Sequence, residues 1–431
     1  MTKAALTALV VASALGMPAL AQTQAVPSLS LAAAQAEARM RAPEVAEAQA
    51  VVAGAEAVAA QARRVFRDDP QISGSLFEGA LIGRPDERFQ TLGFSQLFDV
   101  SGSWKPRSAS AGADLSRARF DGADRLRALD EQVAVSVADL ALAQRDVARG
   151  ERLADLQRIA AEAAQRQFEV GTAPQIDADA AALDLAGGLQ AVEIARGDLD
   201  RARVRLARLL GRETGADLVV EDPMEVSELG PPPDFTPFID ADPRVRAAGA
   251  ELDAARFERQ TFERLVTPPL NVGVDYGRKR SDIPTGSFTG VPFASGLSAN
   301  WPDQELTFNV SLPLPLFNRQ LEPRARATAR ILTAEARLRA TRADVRSELE
   351  TTWALLQAAS RALQAVAPTS GVVDRDVTFV EQAVRAGQFD ATTRTLALRR
   401  LEESGRRVDA AVRDYRAARA AWIRRTSVTP P

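Results

Sequence analysis

Neither cysteine nor histidine occurs anywhere in the 431 residues; tyrosine appears twice, and tryptophan and methionine four times each. These absences exclude disulfides, thiolate nucleophiles, Ser-His-Asp triads, haem held by histidine and zinc sites of the usual kind. No metal site and no cofactor is expected. Beyond the N-terminal segment there is no run of 18 apolar residues, so no membrane-spanning helix is expected. A surplus of one charge sign is missing too. With 54 basic and 57 acidic residues, a net charge of −3 gives no reason to expect nucleic acid as a partner. What is present is 46% hydrophobic and 26% charged residues, enough apolar material to fold.

Residues 1–21 read as a secretory signal. Lys3 supplies the positive start, Ala4 to Met17 the apolar stretch, and Ala19-Leu20-Ala21 the cleavage pattern. The mature chain is expected to begin near Gln22. No cysteine follows that point, so no N-terminal lipid anchor is expected.

The rest of the chain repeats itself. Ala42-Pro43-Glu44-Val45 has a counterpart in Asp242-Pro243-Arg244-Val245, and Phe94-Ser95-Gln96-Leu97-Phe98 has one in Val310-Ser311-Leu312-Pro313-Leu314. Phe168-Glu169-Val170-Gly171 matches Val384-Arg385-Ala386-Gly387 in the same way. The apolar positions keep that register: Val133, Val137, Leu140 and Val147 against Leu349, Trp353, Leu356 and Leu363, then Val192, Leu199 and Leu206 against Val408, Tyr415 and Trp422. The reading is a first repeat over 22–220, a linker over 221–240 built around Pro231-Pro232-Pro233, and a second repeat over 241–431.

Each repeat reads helix, strand, strand, long helix, helix, so the fold class is mainly α with a small β part. Period-2 alternation places strands at about 70–78, 89–99, 269–277 and 305–316. Steps of three and four apolar residues predict helical hairpins over 106–212 and 323–427, with Pro368 interrupting the second. About 63 residues without a breaker would span roughly 95 Å of helix. Prolines at the strand-to-helix junctions (Pro106, Pro323) suit a first helical position.

Strands of about ten residues suit a tilted bilayer crossing, yet four cannot close a barrel, and open edges are not tolerated in hydrocarbon. Chains must therefore pool their strands, and three copies would supply twelve. The physical reading is an exported, oligomeric conduit.

At these residues the sequence resembles the TolC-type outer membrane efflux proteins. The resemblance rests on the duplicated plan, on Phe168-x-x-Gly171 and Val384-x-x-Gly387, and on the run Phe308 to Arg319 (Phe-Asn-Val-Ser-Leu-Pro-Leu-Pro-Leu-Phe-Asn-Arg). That run is similar to the branch serving heavy-metal cation pumps of the resistance-nodulation-division type. The resemblance implies a homotrimer in the outer membrane of a Gram-negative bacterium, with a 12-stranded β-barrel continued by an α-helical periplasmic barrel. It also implies contact with outer membrane lipid, a periplasmic adaptor (membrane fusion) protein and an inner-membrane pump. Such a chain is not an enzyme; it is a passive conduit, here for heavy-metal cations.

By the same resemblance Val170, Gly171 and Thr172, with Ala386, Gly387 and Gln388, are the tips that touch the adaptor. A glycine there equally serves as a plain helix cap. Asp177 matches a position where inward carboxylates constrict the tube; Asp179 lies nearby, and Asp390 is the nearest acid of the second repeat, where Thr393 replaces the equivalent of Asp177. An acidic ring would attract cations, although aspartates at a helix start are also favoured by the helix dipole. Arg406-Arg407 and Arg424-Arg425 read as solvated helix faces. Trp104 reads as either an interfacial anchor or a packing residue, and Gly187-Gly188 as either a close-packing site or a weak point. Two rival readings remain: a multidrug or organic-solute channel, and an exported coiled-coil scaffold without a pore. A carboxylate-based glycosidase would need a compact cleft that such hairpins do not offer.

Overall fold

A computed structural model of the chain describes residues 28–64, 68–78, 87–215, 217–221, 229–281, 302–313, 320–385 and 391–430. The expected signal segment and its cleavage site lie outside them. Twelve elements follow one another: α1 (Leu31–Arg41), α2 (Pro43–Ala62), β1 (Gln71–Glu78), β2 (Glu87–Phe98), α3 (Trp104–Glu169), α4 (Gln175–Leu209), α5 (Thr236–Ala241), α6 (Pro243–Arg264), β3 (Leu270–Ser281), β4 (Pro302–Ser311), α7 (Leu321–Arg385) and α8 (Ala391–Thr426). The molecule is mainly helical, with one small sheet. At 66 residues, α3 is about 100 Å long.

The local reasons for these elements recur 200 to 216 residues apart. Ala42 and Asp242 hold nearly the same extended backbone (φ −62°, ψ 135° and φ −66°, ψ 128°), and each is followed by a proline at the first helical position. Proline fits there because its missing N–H is one the helix start leaves unpaired. Asp242 also caps its helix, accepting from the Arg244 backbone N–H at 2.8 Å. Pro106 and Pro323 fall on the third residue of α3 and α7, not the first, still within the turn whose N–H groups have no intrahelical partner.

Periodic apolar positions fill the two larger cores, and Leu156, Ala160 and Leu401 make a small third. Val133, Val137, Leu140 and Leu206 pack with Ala34 and Ala38 in one; Leu349, Trp353, Leu356, Tyr415 and Trp422 pack in the other. The second is aromatic: the Trp353 and Trp422 rings lie 4.9 Å apart and Phe238 of α5 meets Trp422 at 5.9 Å. Helix α3 ties the halves together, packing on α2 and α4 from its own half and on α6 and α8 from the other.

The sheet is an antiparallel meander in the order β1-β2-β3-β4. Strands β2 and β3, from different halves, pair at its centre with Phe94 opposite Val274 and Leu92 opposite Tyr276. Strands β1 and β4 are its edges, so the described chain forms an open sheet and not a barrel.

Three expectations are corrected. β4 ends at Ser311, short of 316, because Pro313 brings no N–H to a ladder; residues 314–319 lie outside the described ones. Pro368 does not interrupt α7, which runs unbroken to Arg385. Losing the one hydrogen bond that Pro368 cannot donate is tolerated in a helix of 65 residues. Arg424 and Arg425 are not solvated. Their side chains are 24% and 17% exposed, and they pair with Glu131 and Glu348 at 2.8 and 2.7 Å. Arg406 and Arg407 do sit on an exposed face, each bonded to a glutamate one turn back.

Candidate functional site: an apolar sheet face and a hairpin tip

Side chains alternate across a strand, so the register sorts the sheet into two faces. One carries the rows Ile72–Phe94–Val274–Phe308 and Leu92–Tyr276–Leu306, with Val272 opposite Val310 beyond them. The other carries Ser73–Gly93–Asp275–Thr307 and Gln71–Ser95–Gly273–Asn309. On the polar face Asn309 donates to the Asp275 carboxylate. Gly93 has no side chain because Asp275 and Ser73 already fill the space where one would stand. The apolar face is bare. Ile72 is 77% exposed and Phe308 72%, with Leu76, Leu92, Phe94, Leu306 and Val310 also open. A contiguous exposed apolar face of this kind marks a surface that meets another protein or a membrane.

Far along the helices, α3 ends in the first hairpin tip. Phe168, Val170 and Ile176 project there. Gly171 takes φ +75°, where a side chain would be strained, and its N–H bonds the Phe168 carbonyl at 2.9 Å. The Gln167 carbonyl accepts from the Thr172 and Ala173 N–H groups at 2.9 and 3.2 Å and from the Thr172 hydroxyl at 3.0 Å. The turn is thus held by its own backbone, leaving its apolar side chains free. Pro174 then caps α4, and Asp177 stands in its first turn with its N–H on the Pro174 carbonyl at 3.1 Å. Asp177 is half-buried and Asp179 exposed. Val170, Gly171, Thr172, Asp177 and Asp179 therefore share one tip. Ala386, Gly387, Gln388 and Asp390 lie outside the described residues. Ile176 escaped the sequence reading, although an isoleucine two residues after a helix-opening proline is its signal.

Between tip and sheet, α3, α4 and α8 enclose a cavity of about 600 Å³ lined by Arg149, Asp146 and Asp409, among others. Arg149 on α3 reaches both Asp146 and Asp409 of α8. Gly405 makes this possible, since a Cβ there would stand 2.9 Å from an Arg149 guanidinium nitrogen. Burial pushes the Asp146 carboxyl above its ordinary value against the opposing charge of Arg149, and Asp409 adds to the push. Gly188 also proves a close-packing site, with Gln157 pressed over it, whereas Gly187 faces open space. Among the described residues no group of three or more acidic side chains could hold a metal ion, and no helix is long and apolar enough to cross a membrane.

Residues 239–421 match the family model described as outer membrane efflux protein. No curated protein matches the chain. Among solved structures, the outer membrane protein VceC of Vibrio cholerae superposes with a TM-score of 0.70 at 17% identity, over 93% of this chain and 97% of that one. CusC gives 0.71 at 15%, over 92% and 91%. The open-state MtrE outer membrane channel of Neisseria gonorrhoeae gives 0.72 at 14%, over 92% and 88%. The fold is that of these channels, along nearly the whole of both chains.

Proposed function

We propose that the chain is one protomer of an outer membrane efflux channel, a homotrimer whose three sheets close into a twelve-stranded barrel above a tube of long helices. The observation that carries this reading is the sheet. It has one bare apolar face, one face that is polar apart from Phe77 opposite Phe89, and two open edges, on strands of 8 to 12 residues. Joining β4 of one copy to β1 of the next removes every edge, turns the apolar face to lipid and leaves the polar face around a water-filled lumen. The family match over 239–421 and the likeness to solved channels agree with it. A coiled-coil scaffold would leave that face without a purpose.

In this reading the tip of Val170, Gly171 and Thr172, with its counterpart at Ala386, Gly387 and Gln388, docks onto a periplasmic adaptor, and the adaptor joins an inner-membrane pump. Asp177 and Asp179, with Asp390, set an acidic constriction. The conduit is passive, and energy enters at the pump. Its cargo is heavy-metal cations, a reading supported by the run from Phe308 to Arg319. With no cysteine or histidine, the chain has no soft ligands, so choice among metals belongs upstream.

Deletion of the gene tests the cargo. Lower tolerance to heavy-metal ions is expected; unchanged metal tolerance with greater sensitivity to organic toxicants would assign the channel to a multidrug pump. Extraction of isolated outer membranes tests the pore: an oligomer of about three mature chains is expected, and a soluble monomer would overturn the reading.

A further inference from the structure

Arginine is abundant along the helices, and most of it is spoken for. Arg119 pairs with Glu56 at 2.7 Å, Arg125 with Glu47 at 3.0 Å and Arg337 with Glu251 at 2.7 Å. Others, such as Arg208, Arg339 and Arg361, pair with no described acid, and cations of that kind gather where helices meet strands. Arg63 and Arg64 follow the end of α2, Lys105 opens α3 and Arg264 closes α6, each within a few residues of β1, β2 or β3. All four are exposed. None forms an ion pair with any described residue.

They are also held together. Arg107 donates to the Arg64 carbonyl at 2.9 Å, docking the end of α2 on the start of α3. Gly102 turns the chain with φ +67°, and a Cβ there would stand 3.2 Å from a guanidinium nitrogen of Arg264. The Lys105 ammonium lies 5.6 Å from the centre of the Trp104 ring, which is half-buried at the same level. Local acids do not neutralise the group. Asp99 accepts from the Ser101 N–H at 3.0 Å and the Ser103 hydroxyl at 2.6 Å, while Glu263 is taken by Arg259 at 2.9 Å. Asp68 and Asp69 are exposed and pair with no described cation, so with Glu263 taken the described acids here are Asp68, Asp69 and Asp99, against five cations counting Arg107.

We infer that Arg63, Arg64, Lys105 and Arg264 bind the phosphate groups of anionic phospholipids in the leaflet facing the helical body, with Trp104 at the headgroup level. The inference rests on the barrel reading, which puts the apolar face of the sheet in hydrocarbon and so sets these junctions at the membrane surface. Cations left unpaired by described acids at one level, beside an amphipathic aromatic, suit a negatively charged lipid surface. Each cation near such a surface strengthens attachment by about fivefold.

The full-length protein is reconstituted into vesicles of phosphatidylethanolamine alone and into vesicles also containing phosphatidylglycerol. Insertion is read by resistance to carbonate extraction and stability by the temperature at which the oligomer dissociates. Anionic lipid is expected to raise that temperature. In the variant Arg63→Gln/Arg64→Gln/Lys105→Gln/Arg264→Gln the rise should vanish, while Arg406→Gln/Arg407→Gln, altered on a remote exposed face, should keep it. Insertion into both vesicles with equal stability overturns the inference and leaves the barrel reading intact, as does a fourfold variant that retains the full rise. Failure to insert into either overturns the barrel reading and the inference with it. Inorganic phosphate reproducing the rise in phosphatidylethanolamine vesicles would make the cluster a site for free phosphate, against the lipid assignment.

Discussion

Backbone handedness at single residues separates what glycine makes easy from what a side chain must endure. Gly211 ends α4 with φ +68°, and Ser427, 216 positions on, ends α8 with φ +58°. Both close a helix in the left-handed region, where a side chain costs about 1 kcal/mol or more. The two halves therefore both turn left-handed at the helix end, one with the suited residue and one without. Ser427→Gly is expected to stabilise the protein by up to about 1 kcal/mol. Gly211→Ser should cost about 3 kcal/mol, because a Cβ there would also stand 2.6 Å from the Arg41 carbonyl oxygen. Gly171→Ala, with φ +75° but open space around it, should cost only about 1 kcal/mol. Thermal unfolding of the three variants checks this order, and equal losses at Gly211 and Gly171 would refute it. A glycine and a serine do not look alike in sequence, so this match was invisible until the backbone angles were seen.

Elements are held to one another by charges whose pH responses oppose. Glu348 of α7 carries two arginines, Arg244 of α6 and Arg425 of α8, each at 2.7 Å. The Arg244 hydrogen bond holds its carboxyl below the ordinary 4.5 against the pull of burial. A lowered carboxylate stabilises the fold above its unfolded value and loses that contribution as pH falls through the folded one. Glu348→Gln should therefore cost about 2 kcal/mol at neutral pH, a figure tempered by its partial exposure, with the deficit shrinking below about pH 4.5. Asp146 is raised by burial, so its contribution is complete below the ordinary 3.8 and is lost as pH rises through the folded value. Asp146→Asn should consequently stabilise the protein at neutral pH, with the gain closing in acid. Melting curves at pH 7 and pH 3.5 distinguish the two signs. The heptad positions Val133, Leu140, Leu349 and Leu356 were legible because a helix repeats its buried face locally. The partners of Arg424 and Arg149, 293 and 260 residues away at Glu131 and Asp409, carry no local signal. For that reason the Arg424-Arg425 pair was misread as solvated.

For the whole molecule, alternation along the strands and the 216-residue offset made the architecture legible, since both follow from periodic burial. The site was legible only in part. The first tip stands as a compact turn, whereas the exposure of the sheet's apolar face follows from the pairing of β2 with β3 across the halves. Detergent extracts of isolated outer membranes should contain the protein at about three times the mass of the mature chain, resistant to SDS until boiled. A soluble monomer in the periplasm would end the channel reading.

The central pairing of β2 with β3 also bears on how a closed ring would assemble. Each half owns one strand committed to its sibling and one left at an edge, so contacts within a chain and between chains alternate around the ring. Two separate halves would have to find each other at whatever concentration export supplies. Carried on one polypeptide, they meet at an effective concentration in the millimolar range. Six pieces thereby become three, and the order of the assembly reaction falls with them. Severing the chain between the halves should therefore make assembly steeply dependent on expression level, while a ring already formed would keep its seams.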